Sequence, residues 1–230
     1  MIQKENLELN KTSKLLLICS TLFCVCLITS NVLETKQMQV DCSIFGCSIS
    51  LGLTGGLLVF PISYILSDCI AEVWGLKIAR MVIWLGFAMN IVFLLFGALA
   101  DIIPGASYWT LQEGFHAIFG LAPRITAASL IAFLAGSFIN AYVMVKMRDW
   151  AKTKDAESKL SGKFQFRAIL STLLGETTDS LIFFPIALGG VVPLKSLLLI
   201  MLTQVILKTM YEVLALPFTM RLVEYLKRNT

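Results

Sequence analysis

The sequence predicts an all-α polytopic membrane protein with six transmembrane helices, a short extracytoplasmic β-hairpin and an interfacial helix. Hydrophobic residues make up 57% of the 230-residue chain and charged residues only 15%, against about 25% charged in a typical soluble domain. The mean hydropathy is +0.80, and the apolar residues fall into blocks of about 20, the length that a helix needs to cross a bilayer. We expect one transmembrane domain spanning residues 1–230.

Six apolar blocks predict the spans, roughly at 14–33, 53–72, 77–100, 124–147, 166–188 and 195–220. Each must be helical, because lipid offers no hydrogen-bond partners to an unpaired backbone. The first block follows Lys11 and Lys14, as the core of a signal peptide would. It is too long for that role and lacks a cleavage site of small residues, so we expect it to be retained.

The basic residues are distributed unequally between the two sides of these spans. Fifteen of the 19 lysines and arginines lie before span one, between spans two and three, around the loop between spans four and five, or after span six. Lys36, Arg124 and Lys195 lie near the other side. The positive-inside rule then places both termini and the 148–165 loop in the cytoplasm. The net charge of +4 is therefore a topology signal and does not indicate nucleic-acid binding.

Two segments on the outer side have their own patterns. Residues 38–51 alternate apolar and polar side chains around Phe45-Gly46, which predicts a β-hairpin. A disulfide between Cys42 and Cys47 is compatible with this hairpin but weakly supported. Residues 105–121 are rich in aromatic side chains and predict an interfacial helix that anchors the fold; a lid over an outward-facing cavity is the alternative. With one histidine and no CxxC spacing, the chain predicts no metal site and no cofactor.

Ionisable residues inside spans five and six are the strongest indication of a functional site, because such groups are costly in lipid. Glu176 and Asp179 lie on adjoining faces of span five. Two carboxylates at this depth cannot both be ionised without partners. Lys208 recurs with Gln204 and Glu212 at four-residue spacing on span six, so it is the expected partner. An internal salt bridge and recognition of a polar substrate explain this pattern equally well.

Further residues complete the predicted site. Asn90 in span three and Asn140 in span four either bond a neighbouring helix or face the same cavity. Phe183 lies one turn beyond Asp179 and offers a ring on which a flat ligand can stack. The predicted substrate site therefore consists of Glu176, Asp179, Lys208, Asn90, Asn140 and Phe183.

A second charged group lies where span two meets span three. Asp68 and Glu72 are four residues apart and share one helix face, and Arg80 follows the intervening turn. A structural ion pair across that turn is the favoured interpretation. The alternative is a gate that breaks and reforms this pairing.

Several stretches resemble the queuosine precursor transporter family, also described as vitamin uptake transporters. The residues that carry the resemblance are FPISYILSDCIAEVWGLKIAR at 60–80, SNVLETK at 30–36, LQEGFHAIFGLAPRI at 111–125 and RAILSTLLGETTDS at 167–180. The pattern Lys208, Glu212, Pro217 continues it. The resemblance implies a six-helix transporter of the bacterial inner membrane that imports 7-deazaguanine bases for tRNA modification. Ser137, Asn140 and Glu176 depart from the family pattern, so a cyano base, an aminomethyl base and queuine all remain candidate substrates.

The chemistry of the polar residues agrees with a purine-like, small-molecule substrate. A carboxylate accepts two N–H donors of a guanine edge, and few polar groups in an apolar pocket suffice for a neutral planar base. The chain has no P-loop and no hydrolase motif, so we expect no enzyme. The alternatives are a substrate-binding subunit of an energy-coupled vitamin importer and a structural membrane protein. Membrane lipid is the other expected partner, nucleic acid is not, and a homo-oligomer is compatible with the sequence.

Overall fold

The computed structural model describes residues 11–44, 47–154 and 160–229. Within these ranges the chain forms six α-helices and one β-hairpin, so the predicted mostly helical fold is confirmed. A short 3-10 turn at Gly55–Leu58 joins the hairpin to the second helix. The elements are α1 Lys11–Leu33, β1 Gln37–Ile44, β2 Cys47–Thr54, α2 Phe60–Trp74, α3 Leu76–Ile102, α4 Gln112–Lys154, α5 Leu160–Leu188 and α6 Leu194–Asn229.

Four of these helices are long and apolar enough to cross a membrane in their described residues. They are α1, α3, the Gln112–Gly136 part of α4 and the Leu194–Ala215 part of α6. Helix α2 has 15 residues, or about 22 Å at 1.5 Å per residue, which is shorter than the roughly 30 Å hydrocarbon core. Helix α5 carries Glu176–Asp179 in its middle, which lowers its hydropathy. The structure therefore supports four candidate spans and does not confirm six.

The predicted hairpin is confirmed. Strands β1 and β2 pair antiparallel, with Gln37 opposite Thr54 and Ile44 opposite Cys47, so the strands extend slightly beyond the predicted 38–51. Residues 45–46 and the side chains of Cys42 and Cys47 lie outside the described part, and the predicted disulfide stays untested. Strand β2 lies so close to α6 that a Cβ added at Gly52 would lie 2.8 Å from Cγ1 of Ile200.

The separate interfacial helix predicted for 105–121 is wrong. Residues 103–111 are not helical, and α4 then runs without a break for 43 residues from Gln112 to Lys154. At 1.5 Å per residue it is about 64 Å long. The aromatic side chains instead form a cluster that packs the start of α4 onto α3: the Phe119 ring lies 4.5 Å from Phe115 and 5.7 Å from Phe93, centroid to centroid.

Two hydrophobic clusters support the fold. The first joins α1, α2 and α3 with the end of α6, and Phe23, Ile70, Val82, Phe87 and Leu226 are among its buried residues. The second joins α4, α5 and α6, with Ile125, Phe184, Leu188, Leu197 and Ile200 among them. Most of the buried polar residues described below lie on helices from both clusters, so packing in both clusters helps to position the site.

Helices α4 and α5 approach each other closely at glycines. A Cβ added at Gly136 would lie 2.9 Å from the carbonyl oxygen of Gly175 and 3.2 Å from Cβ of Asp179. Nearer the end of α5, Arg124 of α4 donates from Nε to the carbonyl oxygen of Ile186 at 2.6 Å and from Nη2 to the carbonyl oxygen of Gly189 at 2.5 Å. A cation that bonds the unpaired carbonyls at a helix C-terminus stabilises that end. Both contacts therefore fix α5 against α4 on either side of Asp179.

Candidate functional site

A group of polar side chains is buried within the fold, and half of them are ionisable. None of the main members is more than 6% exposed. They come from the end of α1, from β2, and from α3, α5 and α6, and they are Asn31, Glu34, Thr54, Asn90, Glu176, Asp179, Gln204 and Lys208. We call this group the polar cluster.

Lys208 has a central position in the polar cluster. Its Nζ lies 3.4 Å from Oδ2 of Asp179 and 3.9 Å from Oε2 of Glu176. On another side the same Nζ lies 3.9 Å from the centroid of the Phe60 ring, a cation–π contact. A buried ion pair is tolerated only with close partners of this kind. The lysine thus connects the carboxylates of α5 to the aromatic start of α2.

Glu34 adds a third carboxylate from the end of α1. Its carboxylate hydrogen-bonds Thr54 of β2, and the Thr54 hydroxyl accepts a bond from Nε2 of Gln204 on α6 at 2.6 Å. Glu34 also packs onto Gly56, where an added Cβ would overlap its Oε1. It interacts electrostatically with Lys208 and Asp179. Lys208 is the single cation that the described part of the chain buries, so three carboxylates surround one ammonium group.

Two small cavities share Phe60 and Lys208 in their linings. The larger, about 30 Å³ of space for the centres of water molecules, is lined by residues that include Tyr64, Asp68, Glu176 and Tyr211. The smaller, about 10 Å³, is lined by Asn31, Glu34, Phe60, Ser129, Asp179, Phe183 and Lys208. One water needs about 10–15 Å³ on this measure, so the present conformation has room for a few waters but not for a bicyclic base.

Several buried polar atoms of this region have no hydrogen-bond partner among the described residues. They include both amide atoms of Asn90, Nδ2 of Asn31, Oε2 of Glu34, Oγ of Ser180 and Oε1 of Gln204. A buried polar atom left without a partner costs about 1–3 kcal/mol, so a purely structural network would keep few of them. Donors and acceptors of this kind are what a polar ligand can use.

The structure brings some of the predicted substrate residues together and leaves others apart. Glu176, Asp179 and Lys208 come together, and Phe183 lines the smaller cavity with Asp179 and Lys208. Asn90 is fully buried but lines neither cavity. Asn140 lies on α4, and its side chain is outside the described part, so its role stays a prediction.

Sequence reasoning did not include Glu34 and Thr54 in the site. Glu34 directly follows the predicted first span, where a charged residue is ordinary, and a threonine in a strand carries no signal of its own. The exposure of the two residues shows what the sequence did not: Glu34 is 4% and Thr54 0% exposed. The one available signal was the carboxylate of Glu34 three residues beyond Asn31, on a helix end that the hairpin then covers.

The structure gives Glu72 a partner outside the predicted group of Asp68, Glu72 and Arg80. Glu72 pairs with Lys227 in the last turn of α6. Arg80 is exposed and bonds neither carboxylate. The reason is geometric: α3 restarts immediately after Gly75, and α2 packs against α6 as well as α3. Asp68 is exposed and lines the larger cavity.

Comparison with known proteins adds an independent line of evidence. A family model described as "Putative vitamin uptake transporter" matches residues 54–222, well over half of the chain. The chain belongs to this transporter family. The resemblance to queuosine precursor transporters drawn from the sequence motifs is thereby confirmed, and membership implies a small-molecule substrate. The part matched by the vitamin uptake transporter model contains Glu176, Asp179 and Lys208 but neither Asn31 nor Glu34.

One relative of this transporter carries a more specific name. A protein of Bacillus subtilis (strain 168) named "Probable queuosine precursor transporter" is 25% identical over 191 residues, covering 82% of this chain and 78% of that protein. No solved structure matches the chain.

Proposed function

We propose that the chain is an inner-membrane importer of queuosine precursors, 7-deazaguanine bases or queuine, salvaged for tRNA modification. In this proposal α2 and α5 complete six spans, both termini are cytoplasmic and the chain catalyses no reaction. Membership in the transporter family and the name of the Bacillus subtilis relative support the proposal. A short or polar helix is tolerated at membrane depth where neighbouring helices and cavities surround it, as they surround α2 and α5.

The observation that carries the proposal is the position of Lys208 between a carboxylate pair and an aromatic face. A guanine-like edge presents two adjacent N–H donors and a carbonyl oxygen. In the proposed complex Glu176 accepts the two donors, and Lys208 donates to the carbonyl, as carboxylates and lysines do at base edges. The base then stacks on Phe60 or Phe183. Asp179 holds the lysine at 3.4 Å.

The small cavities fit a transporter in a closed conformation. Phe60 and Lys208 line both spaces. If the Phe60 ring swings away from Lys208, the spaces merge into one site bounded by Glu176, Asp179 and Phe183. Binding of the base therefore requires this movement, and the same contact can act as a barrier across the transport path.

The experiment uses cells that cannot synthesise queuosine and lack their own importer. Cells expressing the chain are expected to accumulate a labelled 7-deazaguanine base and to restore queuosine in tRNA. Cells expressing Lys208→Met are not, whereas Glu224→Gln, an exposed change on the same helix, should behave as wild type. Uptake equal to that of cells without the protein would refute the proposal.

A second experiment measures transport of the base by the purified chain. Transport by the chain alone in proteoliposomes separates an autonomous carrier from a substrate-binding subunit that requires a partner ATPase. Binding of the base without transport, together with co-purification of an ATPase, would favour the substrate-binding subunit.

A further inference from the structure

The polar cluster holds more negative than positive groups. Glu34, Glu176 and Asp179 are 4%, 6% and 4% exposed, and Lys208 is 6% exposed. Lys208 has Asp179 and Glu176 within 4 Å of its Nζ, whereas Glu34 forms no direct ion pair with it. A buried carboxylate without a compensating charge is strongly unfavourable and takes up a proton instead. One lysine cannot compensate three carboxylates, so the cluster needs at least one further positive charge.

Glu34 is the carboxylate best placed to receive that charge. Its Oε2 has no hydrogen-bond partner among the described residues, so it has a free position for a proton. It lines the smaller cavity with Asp179 and Lys208. Asn31, one turn earlier on α1 and 2% exposed, lines the same cavity and has an Nδ2 without a partner. A proton or ligand that enters the smaller cavity therefore meets the side chains of Glu34 and Asn31.

The groups around Glu34 complement a proton better than a metal cation. Lys208 from α6 attracts its ionised form, and Asp179 from α5 repels it. Thr54 from β2 hydrogen-bonds the carboxylate, and Asn31 offers an amide donor. A metal ion here would meet the ammonium group of Lys208 and these donors, whereas a proton on the carboxylate is compatible with all of them.

We infer that Glu34 binds the proton that crosses the membrane together with the base. This inference rests on the proposed function and adds the coupling ion to it. The proton is taken up on Glu34 from the outer side while the base occupies the site beside Lys208. It is released to the cytoplasm when the site opens inward. The chain is then a proton–base symporter, and no bond other than the O–H of the carboxyl group forms or breaks.

The test uses the full chain in proteoliposomes that hold a pH-sensitive dye. Labelled 7-aminomethyl-7-deazaguanine and its cyano counterpart are supplied outside at acidic pH, with an alkaline interior. We expect accumulation several-fold above the external concentration, abolished by a protonophore, and acidification of the interior when the base is added. A sodium gradient in place of the pH gradient should drive no accumulation.

Variants then assign the coupling to Glu34. Glu34→Gln should lose gradient-driven accumulation, and Glu34→Asp, which keeps the carboxyl group, should retain part of it. Glu113→Gln, an exposed glutamate on α4, serves as the matched control with wild-type accumulation. Gradient-driven accumulation by Glu34→Gln at the wild-type level would overturn the assignment.

Two wild-type measurements keep the outcomes apart even if Glu34→Gln does not insert. Counterflow of labelled against unlabelled base reports transport without any gradient. If the wild-type chain shows counterflow but its net uptake of base under the pH gradient does not acidify the interior, or if sodium drives accumulation, the proton inference alone is overturned. Absence of counterflow by the wild-type chain refutes the proposed function, and the inference with it.

Discussion

The ammonium group of Lys208 lies 3.4 Å from Oδ2 of Asp179, with both side chains almost fully buried. This contact joins the middle of α6 to the middle of α5, at the level where α5 also meets Gly136 of α4. The charges that are proposed to bind the base thus also hold two helices together. Structural and functional effects of a substitution here must be separated by design.

A double substitution provides that separation. Asp179→Asn leaves Lys208 with a weaker set of partners, and breaking a buried pair costs about 3–5 kcal/mol. We therefore expect a lower Tm in detergent and loss of base uptake. Asp179→Asn combined with Lys208→Gln removes both charges but leaves Glu176 and Glu34 without a cation, so it should recover only part of the Tm and no uptake. Wild-type uptake by the double variant would show that the pair is only structural.

Glu176→Gln tests the contact with the base edge. The change keeps the shape of the side chain but replaces an acceptor with a donor, so one bidentate contact is lost. Such contacts are worth about 1–3 kcal/mol, which corresponds to a Kd roughly 5–150-fold higher. Equilibrium binding of labelled base to the purified chain measures the change. Glu224→Gln on the exposed face of α6 is the control, and equal affinities of the two variants would exclude Glu176 from the contact.

Phe60 is expected to contribute through its ring. Phe60→Leu removes both the cation–π contact with Lys208 and the surface on which a base stacks, and stacking alone is worth about 1–3 kcal/mol per base. Phe60→Tyr keeps the ring and should bind nearly as wild type. Phe96→Leu, on an exposed part of α3, controls for loss of an aromatic residue. If Phe60→Leu and Phe60→Tyr bind the base alike, the ring has no role in recognition.

Residues whose chemistry conflicts with their surroundings were predictable from the sequence. Glu176, Asp179 and Lys208 stand out because lipid penalises charge, and the hairpin stands out because alternation has a clear period. Glu34 did not stand out, because a charged residue at the end of a span normally lies in water. Only the packing of the hairpin over this helix end buries it. The continuity of α4 through Pro123 was missed because the aromatic residues before the fourth span predicted a separate helix at the membrane interface.

Tertiary packing also decided the partner of Glu72. Spacing along the chain favoured Arg80, yet Lys227 of α6 takes that place. The side chains of Lys227 and Glu72 are 50% and 61% exposed, and an exposed pair is worth about 0–1 kcal/mol. Glu72→Gln should therefore leave abundance and uptake within the range of the wild type. A marked loss of uptake at normal abundance would restore the gating hypothesis for this end of the bundle.

The charge asymmetry predicts the orientation of the chain. With fifteen basic residues on one side and three near the other, both termini should be cytoplasmic. A phosphatase reporter, active only outside the cytoplasm, is expected to be inactive after Thr230 and active when inserted between β1 and β2. Activity after Thr230 would contradict the predicted cytoplasmic position of the C-terminus.

Gly136→Ala tests whether the close approach of α4 and α5 positions the site. The added Cβ would lie 2.9 Å from the Gly175 carbonyl oxygen and 3.2 Å from Cβ of Asp179, so backbone must move. Overpacking of this kind costs about 1–3 kcal/mol and displaces Asp179 from Lys208. We expect a lower Tm and weaker base binding. Gly114→Ala, early in the same helix with nothing within 4 Å, should be neutral or slightly stabilising because alanine favours helix. Equal Tm and affinity for the two variants would show that the Gly136 contact does not constrain the site.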